Sequence, residues 1–212
     1  VHPQGPRGIP WHLLALGTPE DFQHLEEWKN GEDAATAILE AGGIYFLAHP
    51  YWCGFTSDEL LTLKKSACGI EVYNSSTKYI GKGYSMQSWD ECLDQGAEFT
   101  AIAVDDIHGL GQAFCGYTMI LAEENSQEAI IKALKNGDFY ASQGPEFYSL
   151  NFENGVFEAE FSPCTEAILL TNKSRGFCAA IEDGKKAETP IKSCSSMKFD
   201  ISQLPKNSYV RC

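Results

Sequence analysis

The chain has 212 residues and a formal charge of −13, from 16 Lys and Arg against 29 Asp and Glu. Its 43% hydrophobic and 21% charged residues are a globular composition, which excludes bulk disorder, and the acidity argues against an extended nucleic-acid-binding surface. No apolar run approaches the roughly 18 residues a membrane span needs, so no membrane segment is expected.

Trp11-His12-Leu13-Leu14-Ala15-Leu16-Gly17 alternates as a strand would, with His12 on the face of Leu14 and Leu16. His12 is there either as a ligand or as a hydrogen-bonded core histidine. Thr18-Pro19-Glu20 carries a cap residue and then proline, which predicts a helix start. A helix is expected through Asp33 to Ala41, ending at Gly42-Gly43, and then a buried strand over 44–48 bounded by His49-Pro50. Thr56-Ser57-Asp58 caps a helix reaching about Lys65, and Gly69 to Asn74 reads as a second strand. A helix over 85–95, strands over 99–105 and 117–122, and an amphipathic helix from Ser126 to Gly137 follow.

Residues 20 to 137 therefore alternate helix with strand, and continuous apolar strands between helices predict a parallel sheet or barrel. Beyond Gly144-Pro145 the pieces are strand-like (148–152, 156–161, 167–171, 177–181 and 197–201), separated by Asn, Gly, Ser and Pro turns. Two domains are expected, 1–146 and a β-rich 147–212. The eight cysteines are scattered and form no CxxC pair, which predicts reduced thiols in the cytoplasm rather than disulfides or structural zinc.

Three strands end in polar residues: Ala48-His49-Pro50, Tyr73-Asn74 and Asp105-Asp106-Ile107-His108. In parallel α/β folds that edge carries the site. Asp106 and His108 are two apart, so extended backbone would put both on one face. With His49 they make a metal-ligand set, although each piece alone is also ordinary loop chemistry. Glu71, in mid-strand, is either buried and paired or part of the site. Asn74 is a candidate for orienting a ligand. Tyr51 and Trp52 either wall the pocket or pack. Arg7, the one cation near the His12 strand, is a candidate for gripping phosphate. His2 and His24 carry no functional reading.

Together these pieces, with Ala133-Leu134-Lys135-Asn136-Gly137-Asp138-Phe139-Tyr140-Ala141-Ser142-Gln143-Gly144-Pro145, resemble the PHP (polymerase and histidinol phosphatase) family of metal-dependent phosphoesterases, in particular its bacterial branch with a C-terminal β extension. The resemblance implies a distorted (β/α)7 barrel followed by a small β subdomain. It implies two or three divalent ions (manganese, iron or zinc) held by His12, His49, Asp106 and His108, with Asp106 and His108 as catalytic residues. Arg7, Tyr51 and Asn74 would contact a small phosphorylated substrate. The family opens with His-x-His, Thr-Asp-His and Gly-x-Glu strands, none of which precedes His12, where there are only eleven residues. An N-terminally incomplete barrel is the expectation, and a segment ahead of Val1 would carry the rest of the site. The alternatives are a metal-dependent hydrolase of a non-phosphate bond and a non-catalytic remnant or binding module.

Overall fold

A computed structural model describes residues 1–23, 25, 28–178 and 193–212, with the backbone of two short strands at 181–182 and 185–186. The chain divides into two compact units, Val1–Gln143 and Gly144–Cys212.

The first unit contains β1 (Leu13–Leu16), α1 (Gly31–Glu40), β2 (Ile44–Leu47), α2 (Pro50–Cys53), α3 (Ser57–Leu60), β3 (Gly69–Asn74), α4 (Met86–Asp94), β4 (Thr100–Val104), β5 (Tyr117–Ile120), α5 (Gln127–Asn136) and β6 (Phe139–Ser142). α1 and α3 start where their caps direct. Asn30 Oδ1 accepts the Asp33 N–H at 2.9 Å, and Thr56 and Glu59 form a reciprocal capping box at α3.

The strands β1-β2-β3-β4 form one sheet. Successive side chains of a strand face opposite ways, and here both faces are covered. Leu13, Tyr45, Leu47, Ile70 and Val72 join a core with Ile38, Leu60 and Leu63, capped by Trp11 stacked on Phe55 at 4.3 Å. Ile44, Phe46 and Ile102 join Leu134 of α5 on the other face. Two-sided burial explains why β2 reads as an unbroken apolar run and why every residue of β3, Glu71 included, is buried. Each large side chain buried this way contributes about 1.5–3 kcal/mol.

The expected (β/α)7 barrel is not what forms. Only β2-β3 and β3-β4 pair in parallel, whereas β1 runs antiparallel to β2. Beyond β4 the ladder stops. The Ala103 N–H donates to Thr118 Oγ1 at 3.2 Å and the Thr118 hydroxyl donates to the Ala103 carbonyl at 3.0 Å. A side chain thus takes the place of a backbone rung, and β5 pairs with β6 as a separate antiparallel ribbon. Among the described residues the first unit is an open, mixed sheet with no closed barrel. The helix expected from Thr18 is a turn instead, closed by Phe22 N–H to the Pro19 carbonyl at 3.0 Å, with Phe22 and Trp28 packed at the core. His24 lies outside the described residues.

The second unit has β7 (Phe147–Glu153), β8 (Val156–Cys164), β9 (Ile168–Thr171), β10 (Gly176–Cys178), β11 (Ile181–Glu182), β12 (Lys185–Lys186), β13 (Cys194–Asp200) and β14 (Val210–Arg211), all antiparallel. Its sheets are ordered β13-β8-β7 and β10-β9-β14, with β11-β12 apart. Ala159, Phe161, Leu169 and Met197 form its core, and the alternation of β8 turns Glu158 outward to pair with Lys198. Of the strand expected over 177–181, residues 179 and 180 lie outside the described residues. Among the described residues of the chain, no helix is long and apolar enough to cross a membrane.

Candidate functional site

The site is built where β1 begins and where β2, β3 and β4 end. Because β1 is antiparallel to β2, its N-terminal neighbour His12 comes to the edge reached by the C-terminal end of β2. The Ala48 N–H donates to the His12 carbonyl at 3.0 Å, and His12 Nδ1 lies 2.9 Å from His49 Nε2. One of the two nitrogens carries the shared proton.

His49 is buried and sits at φ +26°, in left-handed backbone that a side chain rarely adopts. Its N–H donates to Glu71 Oε2 at 2.8 Å, and its ring meets Trp52 edge-on at 5.0 Å. Cys53 Sγ lies 3.4 Å from His49 Nδ1. Asn74, also buried, ties the cluster together: its Nδ2 donates to Glu71 Oε2 at 3.0 Å and to Asp106 Oδ2 at 3.2 Å. Its Oδ1 accepts the Thr77 N–H at 3.2 Å, which fixes the amide's orientation.

Electrostatics follow from this burial. Burial, then the neighbouring His2 and His49, pushes the His12 imidazole down to about 4. Burial also lowers His49, against an opposing pull from Asp106. Both rings are neutral at pH 7, so each offers a lone pair. Burial raises the Glu71 carboxyl to about 7, against the hydrogen bonds from Asn74 and the His49 N–H.

Asp106 and His108 do not share a face. Asp106 stands at φ +50°, so the backbone turns instead of continuing extended. Asp106 points to Asn74, while His108 Nδ1 folds back to the Asp106 carbonyl at 2.7 Å and lies 3.4 Å from Ser76 Oγ. The His108 side chain is 70% exposed and its Nδ1 is 3.9 Å from Asp106 Oδ1. Arg7 is committed elsewhere. Its Nε and one terminal nitrogen grip the Glu59 carboxylate at 2.6 and 2.7 Å, and that same nitrogen donates to the Gly54 carbonyl at 2.7 Å. Tyr51 is half exposed, with Lys82 Nζ 5.4 Å above its ring. The structure thus brings together His12, His49, Asn74 and Asp106, keeps the exposed His108 imidazole beside Asp106 alone, and leaves Arg7 out.

Three participants carried no functional reading in the sequence. The His2 ring packs 4.1 Å from His12, and Cys53 lies against His49. Asp105 accepts the N–H groups of Phe114, Cys115 and Gly116 at 2.5, 2.9 and 2.8 Å, and so anchors the loop that follows Asp106. Only the doubled Asp105-Asp106 hinted at that division of labour.

The donor chemistry fits a divalent cation in part. Two ligands about 2.0–2.1 Å from one tetrahedral ion stand about 3.3 Å apart, so the two imidazole nitrogens, at 2.9 Å, need to part slightly to share one. The Asp106 carboxylate belongs to the same cluster. Among the described residues, no three His, Cys, Asp or Glu side chains form a complete ligand set as they stand. No protein-family model matches the chain, and no match to it was found among curated proteins.

Proposed function

We propose that the chain carries part of a PHP-type metal centre that hydrolyses a phosphate mono- or diester of a small substrate. The observation that carries this reading is the pair of neutral imidazoles of His12, half-buried, and His49, buried, at 2.9 Å, with Asp106 in their electrostatic field. Both rings and the Asp106 carboxylate are the groups that would hold a divalent ion such as manganese, iron or zinc. When bound, the ion supplies neutralisation of charge on the phosphoryl oxygens and a lowered pKa for the attacking water.

The chain's own residues do the positioning. Glu71 holds the His49 backbone, and so the imidazole, in strained geometry. Asn74 keeps two carboxylates, Glu71 and Asp106, apart and pointed. His108 stands at the rim, open to solvent, where a substrate phosphoryl group would approach. The scattered cysteine spacing, with no CxxC pair, supports a cytoplasmic setting.

The test is metal content and hydrolysis of p-nitrophenyl phosphate and bis(p-nitrophenyl) phosphate with manganese, iron or zinc supplied singly. Metal-dependent turnover that falls at least 100-fold in His49→Ala and Asp106→Ala is expected. Unchanged metal content and rate in both variants would overturn the reading. Turnover of amide but not phosphate substrates would move it to the carbon–nitrogen class.

A further inference from the structure

All eight cysteines are free, and in the first unit none has another sulfur within hydrogen-bond distance. The second unit differs. Cys164 closes β8 and Cys194 opens β13, and the antiparallel register sets the two directly opposite one another. Their sulfurs are 3.7 Å apart across 30 residues of sequence.

We infer that Cys164 and Cys194 are a reversible disulfide site, which links the end of β8 to the start of β13 and closes the chain between them into a covalent loop.

Geometry supports closure without rebuilding the backbone. Directly opposed antiparallel residues have Cα atoms about 4.5–5.5 Å apart, inside the roughly 4.4–6.8 Å that disulfides span. The sulfurs have only to close to about 2.05 Å, a movement of side-chain rotation. The register is irregular between Cys194 and Ser196, so the ladder at this end is already relaxed and can absorb it. Both residues are partly exposed, which leaves a path for a small reagent. Both also pack at the edge of the core of Phe161, Leu169 and Met197, so the link would tie the ends of two strands to the unit's hydrophobic centre.

The oxidant is a low-molecular-weight disulfide. A thiolate of one cysteine attacks one of its sulfurs, breaking that S–S bond and releasing one small thiolate. The second cysteine then attacks the mixed disulfide, forming the Cys164–Cys194 bond and releasing the other. The two protein thiols lose two electrons and two protons, and the reagent gains them as two thiols. Burial and the adjoining Cys164 thiol raise the pKa of Cys194, and either thiolate can open the exchange with the other resolving it. Cys164 Sγ also lies 3.3 Å from the Glu166 carbonyl, which holds it at the mouth of the pair. Cys178 acts electrostatically on Cys194 and is the natural competitor.

The test equilibrates the whole chain with oxidised and reduced glutathione, caps remaining thiols and maps peptides without reduction. The expected result is a predominant 164–194 link that returns to thiols on reduction. It persists in Cys178→Ser and disappears in Cys164→Ser and Cys194→Ser. Oxidised wild-type protein should melt about 10 °C or more above the reduced form, as expected for closing a loop of this length. A predominant link to Cys178 or Cys212, only glutathione adducts, or no oxidation in the wild type would overturn the inference. The wild-type map decides this even if a serine variant does not fold.

Discussion

His12 Nδ1 lies 2.9 Å from His49 Nε2 although the two residues sit at opposite ends of their strands, one before β1 and one after β2. The antiparallel pairing Leu13↔Leu47 makes this contact. Had β1 joined in parallel, His12 would stand at the far edge of the sheet, a strand length away. The direction of one edge strand therefore decides whether a two-imidazole site exists.

That pairing is testable by packing. Leu13 is fully buried, whereas Leu16 is 36% exposed. Leu13→Ala should cost about 2–5 kcal/mol and Leu16→Ala less than about 1 kcal/mol in urea denaturation. Equal losses would argue against the register.

Asn74 separates two carboxylates in a buried setting. Replacing it with alanine leaves Glu71 without its side-chain donor and brings unscreened repulsion between Glu71 and Asp106. Asn74→Ala should lose about 1–3 kcal/mol of stability. Metal affinity should fall about 10–100-fold, read by calorimetric titration. Asn74→Asp should do no better, because it lacks the amide donor.

Asp105 anchors three consecutive amides. Asp105→Ala should accelerate hydrogen exchange at Phe114, Cys115 and Gly116 while leaving β3 protected. Uniform loss of protection would mean that Asp105 supports the whole fold instead.

The Arg7–Glu59 pair makes a pH prediction. The side-chain hydrogen bond from Arg7 is the largest cause that draws Glu59 down to about 2 from an ordinary value of 4.5. A depressed carboxyl contributes its stability above the unfolded value and loses it as pH falls through the folded one. Wild type and Glu59→Gln should therefore differ in melting temperature at pH 7 and converge between pH 4.5 and 2. The difference should be modest, since the Arg7 side chain is 53% exposed and screened by solvent. A constant offset down to pH 2 would show that the ionised carboxylate is not what matters.

The elements most legible in the sequence are those set by local chemistry. The six buried residues of β3 and the Ser126-to-Gly137 frame of α5 follow from apolar runs, caps and a terminal glycine. Strand direction was not legible, because an alternating pattern such as that around His12 is the same read up or down. The open sheet depends on one hydroxyl, Thr118, replacing a ladder bond, and no periodicity records that. At the site, His49 and Asn74 were visible as polar residues at strand ends. The turn between Asp106 and His108 was not, because left-handed backbone at an aspartate has no glycine to announce it. Arg7 was judged by nearness in sequence, while its partner Glu59 is 52 residues away. The opposition of Cys164 and Cys194 likewise comes from long-range register, which cysteine spacing does not contain.

The most direct test of the central claim is the position of a divalent ion, located by anomalous scattering in crystals of this protein grown with zinc or manganese. The account predicts an ion about 2 Å from both His12 Nδ1 and His49 Nε2, with its occupancy lost in His49→Ala. An ion bound elsewhere while the two imidazoles keep their direct 2.9 Å contact would contradict it.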